Sequence, residues 1–209
     1  TPVLTPSKRI YLVKKFFPNG NIPNLESYAT AEAAGDDRAL FNGVNRTLDN
    51  DDVATFKSGF GVAKFTNFKT DGSAGHDATF PDADFFLMRA AEAYLNFAEA
   101  DARINGGQTT KDGTEAINAI RKRANASPRE DKGYSLNDIC DEWSREFYFE
   151  GRRRMDLIRF NRFGGNVNYN WQWKGGTKEG RNFSKDLNIF AIPTNELTSN
   201  KNLIQNPGY

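Results

Sequence analysis

Two apolar stripes run along residues 82–104, and they constrain the fold more than any other feature of the sequence. One stripe recurs at intervals of three and four residues: Phe86, Ala90, Ala93, Phe97, Ala100 and Ile104. The second stripe is offset from the first and consists mostly of alanine: Leu87, Ala91, Leu95, Ala98 and Ala102. Pro81-Asp82 provides a start signal, and Asn105-Gly106-Gly107 provides a stop signal. The pattern predicts a helix with closely packed neighbours on both sides.

A second helix is predicted over Thr114–Ala126. Its inward side chains are apolar: Ala116, Ile117, Ile120 and Ala124. Two helices joined by a glycine-containing turn form an αα-hairpin of the tetratricopeptide kind, but no second copy follows at the period of about 34 residues. Because one hairpin cannot bury both of its faces, we expect the partner hairpins to lie in sequence outside this chain, as part of a longer protein.

A third helix is predicted from Ser135 onward, where Ser135 and Asp138 resemble a capping box. Its apolar face has a spacing of four residues: Ile139, Trp143 and Phe147. Gly151 interrupts this helix, and the helical pattern resumes over Arg152–Phe160.

The remaining sequence is rich in turns. The first eighty residues contain a β-like run at Arg9–Val13, short strands within Val53–Phe68 and a weak helix within Leu25–Leu40 that is broken at Gly35. The sequence predicts a mainly α fold: a tetratricopeptide-like αα-hairpin plus a further helix, with long irregular loops and short β segments. It predicts three regions: a loop-rich region at 1–80, a helical region at 81–163, and an extended tail at 164–209 packed on the helices.

The charges of the chain are balanced, with 28 basic and 27 acidic residues. This balance gives no bulk attraction to nucleic acid, and we expect no nucleic-acid partner. The basic run Arg152–Arg154 has acidic residues interleaved with it, so that Glu150–Arg154 and Arg152–Asp156 are spaced as helical ion pairs. We therefore interpret the run as a structural ion network that holds this helix against the tail.

The chain contains one histidine, His76, and one cysteine, Cys140. His76 lies in a polar loop without a nucleophile motif, and Cys140 lies on the apolar side of the predicted third helix. One histidine and one cysteine cannot form the usual zinc sites, and no pair stands out among the acidic residues. These residues single out no catalytic residue, no metal ligand and no cofactor. We expect a protein that is not an enzyme, and a hydrolase with paired carboxylates is the third and most distant alternative.

Aromatic rings alternate with amide side chains over Asn166–Gly176. Alternation in an extended chain places Tyr169, Trp171 and Trp173 on one side, followed by Lys174. Sugar C–H faces stack on aromatic rings while amides and ammonium groups bond the hydroxyls. Tyr169, Trp171, Trp173 and Lys174 are therefore candidate glycan ligands. The alternative, which we favour, is that these rings attach the tail to the helical core.

Four stretches and the C-terminal ending resemble the SusD/RagB family, in the order of that family: Phe86–Ala100, Ala116–Ala124, Glu146–Arg159, Ile192–Leu197 and Gln205–Tyr209. Over residues 1–80 the resemblance is loose, with Asp37-Arg38 as its main point. The segment Trp171–Gly176 is similar to the starch-binding subgroup of the family.

The resemblance implies a mainly α-helical surface protein of Bacteroidetes that binds oligosaccharide or polysaccharide, such as a starch-like α-glucan, and performs no chemistry. It implies a lipid anchor at the outer membrane, through an N-terminal cysteine outside this sequence. It also implies delivery of the glycan to a SusC-like, TonB-dependent transporter, with many of the stacking aromatics upstream of this region. The alternative function is a tetratricopeptide-like protein–protein interaction module that does not bind sugar.

Overall fold

The structure is a computed structural model that describes residues 12–69, 71–77 and 79–209. This part of the chain has six α-helices: α1 (Ser27–Ala34), α2 (Ala90–Ile104), α3 (Lys111–Arg123), α4 (Leu136–Phe147), α5 (Arg153–Arg159) and α6 (Thr194–Ser199). Strands β1 (Phe41–Asn42) and β2 (Gly61–Val62) pair antiparallel, with Phe41 opposite Val62. Short 3-10 helices span Val13–Lys15, Lys174–Gly176 and Lys185–Asn188. The predicted mainly α fold with short β segments is confirmed.

The chain divides into two compact units, one spanning Leu12–Gly151 and the other containing Arg152–Tyr209. The three predicted regions, with boundaries after residues 80 and 163, stay a prediction. In the predicted β-like run, Arg9–Tyr11 lie outside the described residues, whereas Val13 begins a 3-10 helix. None of the helices in the described ranges is both long enough and apolar enough to cross a membrane.

Helix α2 begins at Ala90, so the predicted start at Asp82 is wrong. The carboxylate of Asp82 accepts a hydrogen bond from the backbone N–H of His76 instead of capping a helix. Arg89 has an extended backbone with φ −150°, and its guanidinium donates to the carboxylates of Glu146 and Glu150. These long-range contacts hold residues 82–89 as a loop. The predicted stop at Asn105-Gly106-Gly107 is confirmed, with Gly106 and Gly107 both at positive φ.

The alanine-lined stripe of α2 is the face that packs inside the unit. Its side chains Ala91, Leu95, Ala98 and Ala102 are buried, and α2 contacts both α3 and α4. Small side chains allow the helix axes to approach closely. On the other stripe, Phe97 is 52% exposed and Ile104 is 82% exposed. The hairpin therefore buries one of its two apolar faces within the described chain.

Helix α3 begins at Lys111 and ends at Arg123, slightly earlier at both ends than predicted. Its N-terminus is capped from α2, because Asp101 Oδ2 accepts from Thr110 N at 2.6 Å and Asp101 Oδ1 accepts from Thr110 Oγ1 at 2.8 Å. A carboxylate at this end of a helix satisfies free N–H groups and is favoured by the helix dipole. Gly113 leaves the space that the Asp101 carboxylate occupies.

Helix α4 begins where the sequence predicts but ends at Phe147, before the predicted interruption at Gly151, because Tyr148 has an extended backbone. Ser135 Oγ accepts from Asp138 N at 3.2 Å, and Asp138 Oδ2 accepts from Ser135 N at 2.9 Å, which completes the capping box. The predicted apolar residues Ile139, Trp143 and Phe147 are buried. Trp143 Nε1 donates to Glu99 Oε2 of α2 at 2.9 Å, so its buried N–H is satisfied.

The first eighty residues contribute a second cluster of the Leu12–Gly151 unit. Helix α1 ends at Gly35, at φ +60°, as predicted. Buried apolar side chains gather around the tyrosine that follows α4: Val13, Phe16, Phe17, Ala39, Phe41 and Tyr148. The Phe41 and Tyr148 rings stack with centroids 5.4 Å apart, and the Tyr148 hydroxyl donates to Arg38 O at 2.6 Å. These contacts hold the loop-rich segment on the end of α4.

Two buried carboxylates on α4, Glu142 and Glu146, form an acidic pair that binds arginines from distant parts of the unit. Glu142 contacts Arg38 at 2.8 Å, Arg121 at 2.9 Å and Arg145 at 2.6 Å. Glu146 contacts Arg38 at 3.0 Å, Arg123 at 2.8 Å and Arg89. This buried acidic pair therefore connects α4 to α3, to the start of α2 and to the loop after α1.

The predicted ion network around Arg152–Arg154 is correct in one pair and wrong in the other. Arg152 Nε lies 3.5 Å from Asp156 Oδ1, as the spacing suggests. Glu150 instead binds Lys64 and Arg89, while Arg154 donates to the carbonyl of Asn188 at 2.8 Å. Glu150 and Arg154 do not share a helix, because α4 ends at Phe147 and Phe149 and Gly151 have positive φ before α5 begins. Residues distant in sequence therefore supply the cations nearest to Glu150.

The Arg152–Tyr209 unit is stabilised by contacts between aromatic rings and by hydrogen bonds from its C-terminal residues. Gln205 exchanges two hydrogen bonds with the backbone of Ile192, at 2.9 and 3.0 Å. The Tyr209 hydroxyl donates to Ile189 O at 2.9 Å, and Asn206 Nδ2 donates to Phe190 O at 2.8 Å. The last five residues thus bind the segment that precedes α6.

Candidate functional site

The candidate segment Asn166–Gly176 forms a turn, not the extended chain that the alternation predicts. Its chain reverses at Trp173, which has φ +68° and ψ 5°, and continues as a 3-10 helix over Lys174–Gly176. Lys174 N donates to Trp171 O at 3.1 Å, and Gly176 N donates to Trp173 O at 3.0 Å. The turn forms because Gly175 and Gly176 adopt positive φ, which glycine accepts without steric cost.

Tyr169 and Trp171 lie together in a cluster of rings. Their centroids are 6.3 Å apart in an edge-on arrangement, and Phe163 stacks near Trp171 at 6.1 Å. Phe183 meets Phe163 edge-on at 5.0 Å. Tyr169 is buried, and Trp171 is half-buried. Tyr169 and Trp171 thus pack with other rings of their own unit, and Phe163 and Phe183 are members that the sequence did not single out. The interpretation that these rings attach the tail to the helical core stays a prediction.

Arginine side chains line the same ring cluster. Arg153 Nη2 donates to the Tyr169 hydroxyl at 2.9 Å, and the Arg162 guanidinium lies 4.7 Å from the centroid of the Tyr169 ring. The Arg154 guanidinium lies 5.1 Å from the Phe163 ring and 4.0 Å from the Phe190 ring. Cation–π contacts of this kind favour arginine, which keeps its charge. The basic run thus supports the aromatic cluster.

Lys174 is the most buried of the four predicted ligands, at 1% exposure. Its ammonium donates to Tyr169 O at 2.7 Å and to Asn166 O at 3.3 Å, and it lies 4.9 Å from the Trp171 ring centroid. Burial lowers the pKa of Lys174, because the charged form loses hydration. Lys174 therefore stabilises the turn by donating hydrogen bonds to two of its backbone carbonyls.

Trp173 occupies the bend of the turn and is half-buried. The structure thus brings Tyr169, Trp171 and Lys174 into contact with one another and places Trp173 beside them in sequence at the reversal. The glycan-binding role of these four residues stays a prediction. The alternation of rings and amides was the only sequence signal for the site, and it cannot show which rings face inward.

The two residues considered for chemistry lie where the sequence analysis placed them. His76 is exposed in its loop, and Cys140 is fully buried on the apolar face of α4. Within residues 12–69, 71–77 and 79–209, no group of three or more histidine, cysteine, aspartate or glutamate residues could hold a metal ion.

A family model described as the SusD family matches residues 9–209 of the chain. Over 182 residues the chain is 44% identical to the starch-binding protein SusD of Bacteroides thetaiotaomicron, an alignment that covers 85% of this chain and 32% of that protein. The chain therefore spans about a third of the length of this curated relative.

Solved structures show the same fold. A SusD superfamily protein from Bacteroides vulgatus superposes with a TM-score of 0.59 at 21% identity, over 88% of this chain and 38% of that one. Surface glycan-binding protein A from Bacteroides uniformis superposes with a TM-score of 0.55 at 20% identity, over 97% of this chain and 53% of that one.

Proposed function

The chain belongs to the SusD family, and from this premise we propose that it is part of a non-catalytic protein that binds starch-like α-glucan at the bacterial cell surface. The observation that carries the proposal is the 44% identity to a starch-binding protein over 182 residues. At this identity the two chains share their fold, and a shared ligand class is the simplest expectation. Function itself depends on the site, so the local chemistry must also fit.

The local chemistry that supports glycan binding is the turn of Tyr169, Trp171, Trp173 and Lys174. It combines indole and phenol rings with neighbouring amides at Asn166 and Asn170. Aromatic rings offer apolar faces to sugar C–H groups, and amides can both donate to and accept from hydroxyls. A rigid turn lowers the entropy lost on binding, because its side chains are already positioned.

We also propose that the full-length protein is exposed on the surface of the outer membrane and is anchored there by lipid. It would bind a SusC-like, TonB-dependent transporter and deliver glycan to it. Family membership supports these assignments. The transporter is expected to copurify with the affinity-tagged full-length protein from detergent-solubilised outer membranes. Recovery of the tagged protein without any TonB-dependent transporter would contradict this partnership.

Calorimetric titration of the full-length protein with maltooligosaccharides tests the proposed ligand, with a β-linked glucan series as the comparison. We expect heat of binding with the α-linked series only. A Trp171→Ala/Trp173→Ala variant is expected to bind at least about tenfold more weakly, a change of about 1.4 kcal/mol in binding free energy. The absence of binding to any glycan would contradict the proposed function.

The matched control is Tyr28→Ala, which removes an aromatic side chain that is 79% exposed on α1, in the other unit. We expect it to bind maltooligosaccharide as the unaltered protein does. If the double tryptophan variant also bound normally, glycan binding would have to be assigned to other residues.

A second candidate function is a tetratricopeptide-like protein–protein interaction module that does not bind sugar. The exposed face of the α2–α3 hairpin favours it, because this face forms a shallow groove with the following lining: Ala93, Tyr94, Phe97, Asp112, Glu115 and Ala116. Exposed apolar patches of this kind mark interaction surfaces. This function would be favoured over the first if a transporter copurified with the full-length protein while calorimetric titration detected no binding of any glycan.

A further inference from the structure

Residues 165–183 form a closed loop that contains the side chain of Lys174. The ends of the loop meet where Gly165 N donates to Phe183 O at 2.8 Å. Arg181 N donates to Lys174 O at 2.8 Å, so the backbone of Lys174 is bound to the returning arm. Loops whose ends meet and whose own side chains fill the interior are compact and frequently functional. The side chain of Lys174 is one of those that fill this loop, at 1% exposure.

The ammonium group of Lys174 connects the two arms of this loop. On the outgoing arm it donates to Tyr169 O at 2.7 Å and to Asn166 O at 3.3 Å. It also lies 4.9 Å from the Trp171 ring centroid and 5.5 Å from the Phe183 ring centroid. Charge-assisted hydrogen bonds and cation–π contacts are strongest where water is excluded. One buried cation therefore holds the Trp171 ring against both arms.

Burial separates the role of Lys174 from the role of Trp171. At 1% exposure the ammonium group cannot be offered to a sugar hydroxyl at the surface, whereas Trp171 is half-buried and keeps part of its surface accessible. Lysine is almost never fully buried unless its charge is paired, because the ammonium group loses its hydration. The backbone carbonyls of the loop compensate this loss, which indicates a role for Lys174 inside the loop.

We propose that Lys174 is a positioning residue for glycan binding, which holds the Trp171 ring in the orientation that stacks on the sugar. This inference rests on the proposed function and gives Lys174 an indirect role within the turn. A ring that is fixed before binding loses less conformational entropy when the sugar stacks on it, so the affinity is higher. Without the ammonium group, two carbonyl oxygens of the turn would lose their donor, and the ring would lose its cation.

Lys174→Met in the full-length protein tests the proposal, because methionine keeps a long apolar side chain and removes the charge and the donors. We expect calorimetric titration to show at least about tenfold weaker binding of a maltooligosaccharide. We also expect the tryptophan fluorescence of the unbound protein to shift to longer wavelength, because the Trp171 indole is no longer held in the loop. The matched control is Lys201→Met, at an exposed position in the same unit, which should change neither measurement.

Lys174→Gln is the second variant, because its amide can still donate to one carbonyl of the turn. Its affinity and its fluorescence should lie between those of the unaltered protein and those of Lys174→Met. If Lys174→Met did not fold, Lys174→Gln would decide the test by the same two measurements.

A double-mutant cycle with Trp171→Ala shows whether Lys174 acts through this ring. In the Trp171→Ala background, Lys174→Met should weaken sugar binding by less than about twofold, because there is no ring left to position. A loss as large as in the unaltered background would overturn the positioning role.

The remaining outcomes separate this inference from the proposed function. Weaker sugar binding by Lys174→Met with unchanged fluorescence of the unbound protein would indicate a direct contact and overturn the inference. Normal sugar binding by both folded Lys174 variants would also overturn it, while the proposed function stood. If the unaltered protein bound no glycan, both the proposed function and this inference would fail.

Discussion

Glu142 shows how opposing electrostatic effects are resolved at a single buried residue. Burial raises the pKa of a carboxyl group, but the charges of Arg145, Arg38 and Arg121 outweigh it and lower the pKa of Glu142 to about 2 from an ordinary 4.5. The arginines prevail because each makes a short contact with a fully buried carboxylate. Glu142 therefore stays ionised inside the protein.

We expect Glu142→Gln to lower the stability of the protein by roughly 3–5 kcal/mol at pH 7, since breaking a buried ion pair leaves the arginines uncompensated. Guanidinium chloride denaturation measures this loss. The control is Glu115→Gln, which changes an exposed glutamate 3.8 Å from Lys111 and should cost less than about 1 kcal/mol. Similar losses for both variants would contradict the role given to Glu142.

The lowered pKa of Glu142 also predicts a pH dependence. A carboxyl group with a depressed pKa in the folded state contributes stability above its unfolded pKa and loses it as the pH falls toward the folded value. For Glu142 this window runs from about 4.5 down to about 2 and corresponds to about 3 kcal/mol. We expect the stability difference between the unaltered protein and Glu142→Gln to shrink over this range. A difference that stayed constant from pH 7 to pH 3 would contradict this assignment.

At the scale of elements, the α2–α3 hairpin combines its apolar packing with one polar contact between its helices. Asp101 of α2 caps the N-terminus of α3 through Thr110, and Gly113 makes room for the Asp101 carboxylate. A Cβ at Gly113 would overlap Asp101 Oδ2 and lie 2.9 Å from its Cγ. The hairpin therefore requires a glycine inside a helix, where glycine is otherwise unfavourable.

We expect Gly113→Ala to destabilise the protein by about 1–3 kcal/mol. The overlap with Asp101 costs about 1–3 kcal/mol and the lost helix cap about 1 kcal/mol, and together they outweigh the gain of about 1 kcal/mol in helix propensity. Thermal denaturation provides the measurement. Lys122→Ala, at an exposed position of α3, serves as the control and should be nearly neutral.

A double-mutant cycle separates the two contributions to the Gly113→Ala effect. In an Asp101→Ala background the clash is absent, so Gly113→Ala should become neutral or stabilising. Additive losses in the double variant would show that the cap and the glycine are independent, contrary to the structure.

At the scale of the whole molecule, the described chain leaves a large apolar surface uncovered. The exposed side chains include Tyr94, Phe97 and Ile104 on α2, and Phe85–Met88 in the preceding loop are also exposed. Large exposed apolar surfaces are uncommon in soluble monomers. The uncovered face of α2 agrees with the expectation that the hairpin has a partner outside this chain.

We expect the isolated 209-residue chain to bind the dye ANS and to self-associate, because this surface would face water. Dye fluorescence and sedimentation measure the two effects. Tyr94→Ser/Phe97→Ser should reduce dye binding, whereas Lys122→Ser should leave it unchanged. A monomeric chain that unfolds cooperatively and binds no dye would contradict the prediction.

Several elements could be predicted because their determinants are local. The capping box at Ser135, the apolar spacing of α4 and the glycine stops at Gly35 and Gly106 depend on residues a few positions apart. The start of α2 could not be predicted from local signals. Arg89 is held in an extended conformation by Glu146 and Glu150, which are distant in sequence, and this tertiary contact overrides the start signal at Asp82.

The sequence by itself determined the helix periods, the capping box of α4 and the family, because each depends on residue order alone. Which stripe of α2 is buried, and how the rings of the tail pack together, depends on neighbours that fold against them from elsewhere. The same holds for the arginines around Glu142, which come from three separate segments. Only the tertiary structure decided these points, because burial and charge pairing are properties of assembled segments.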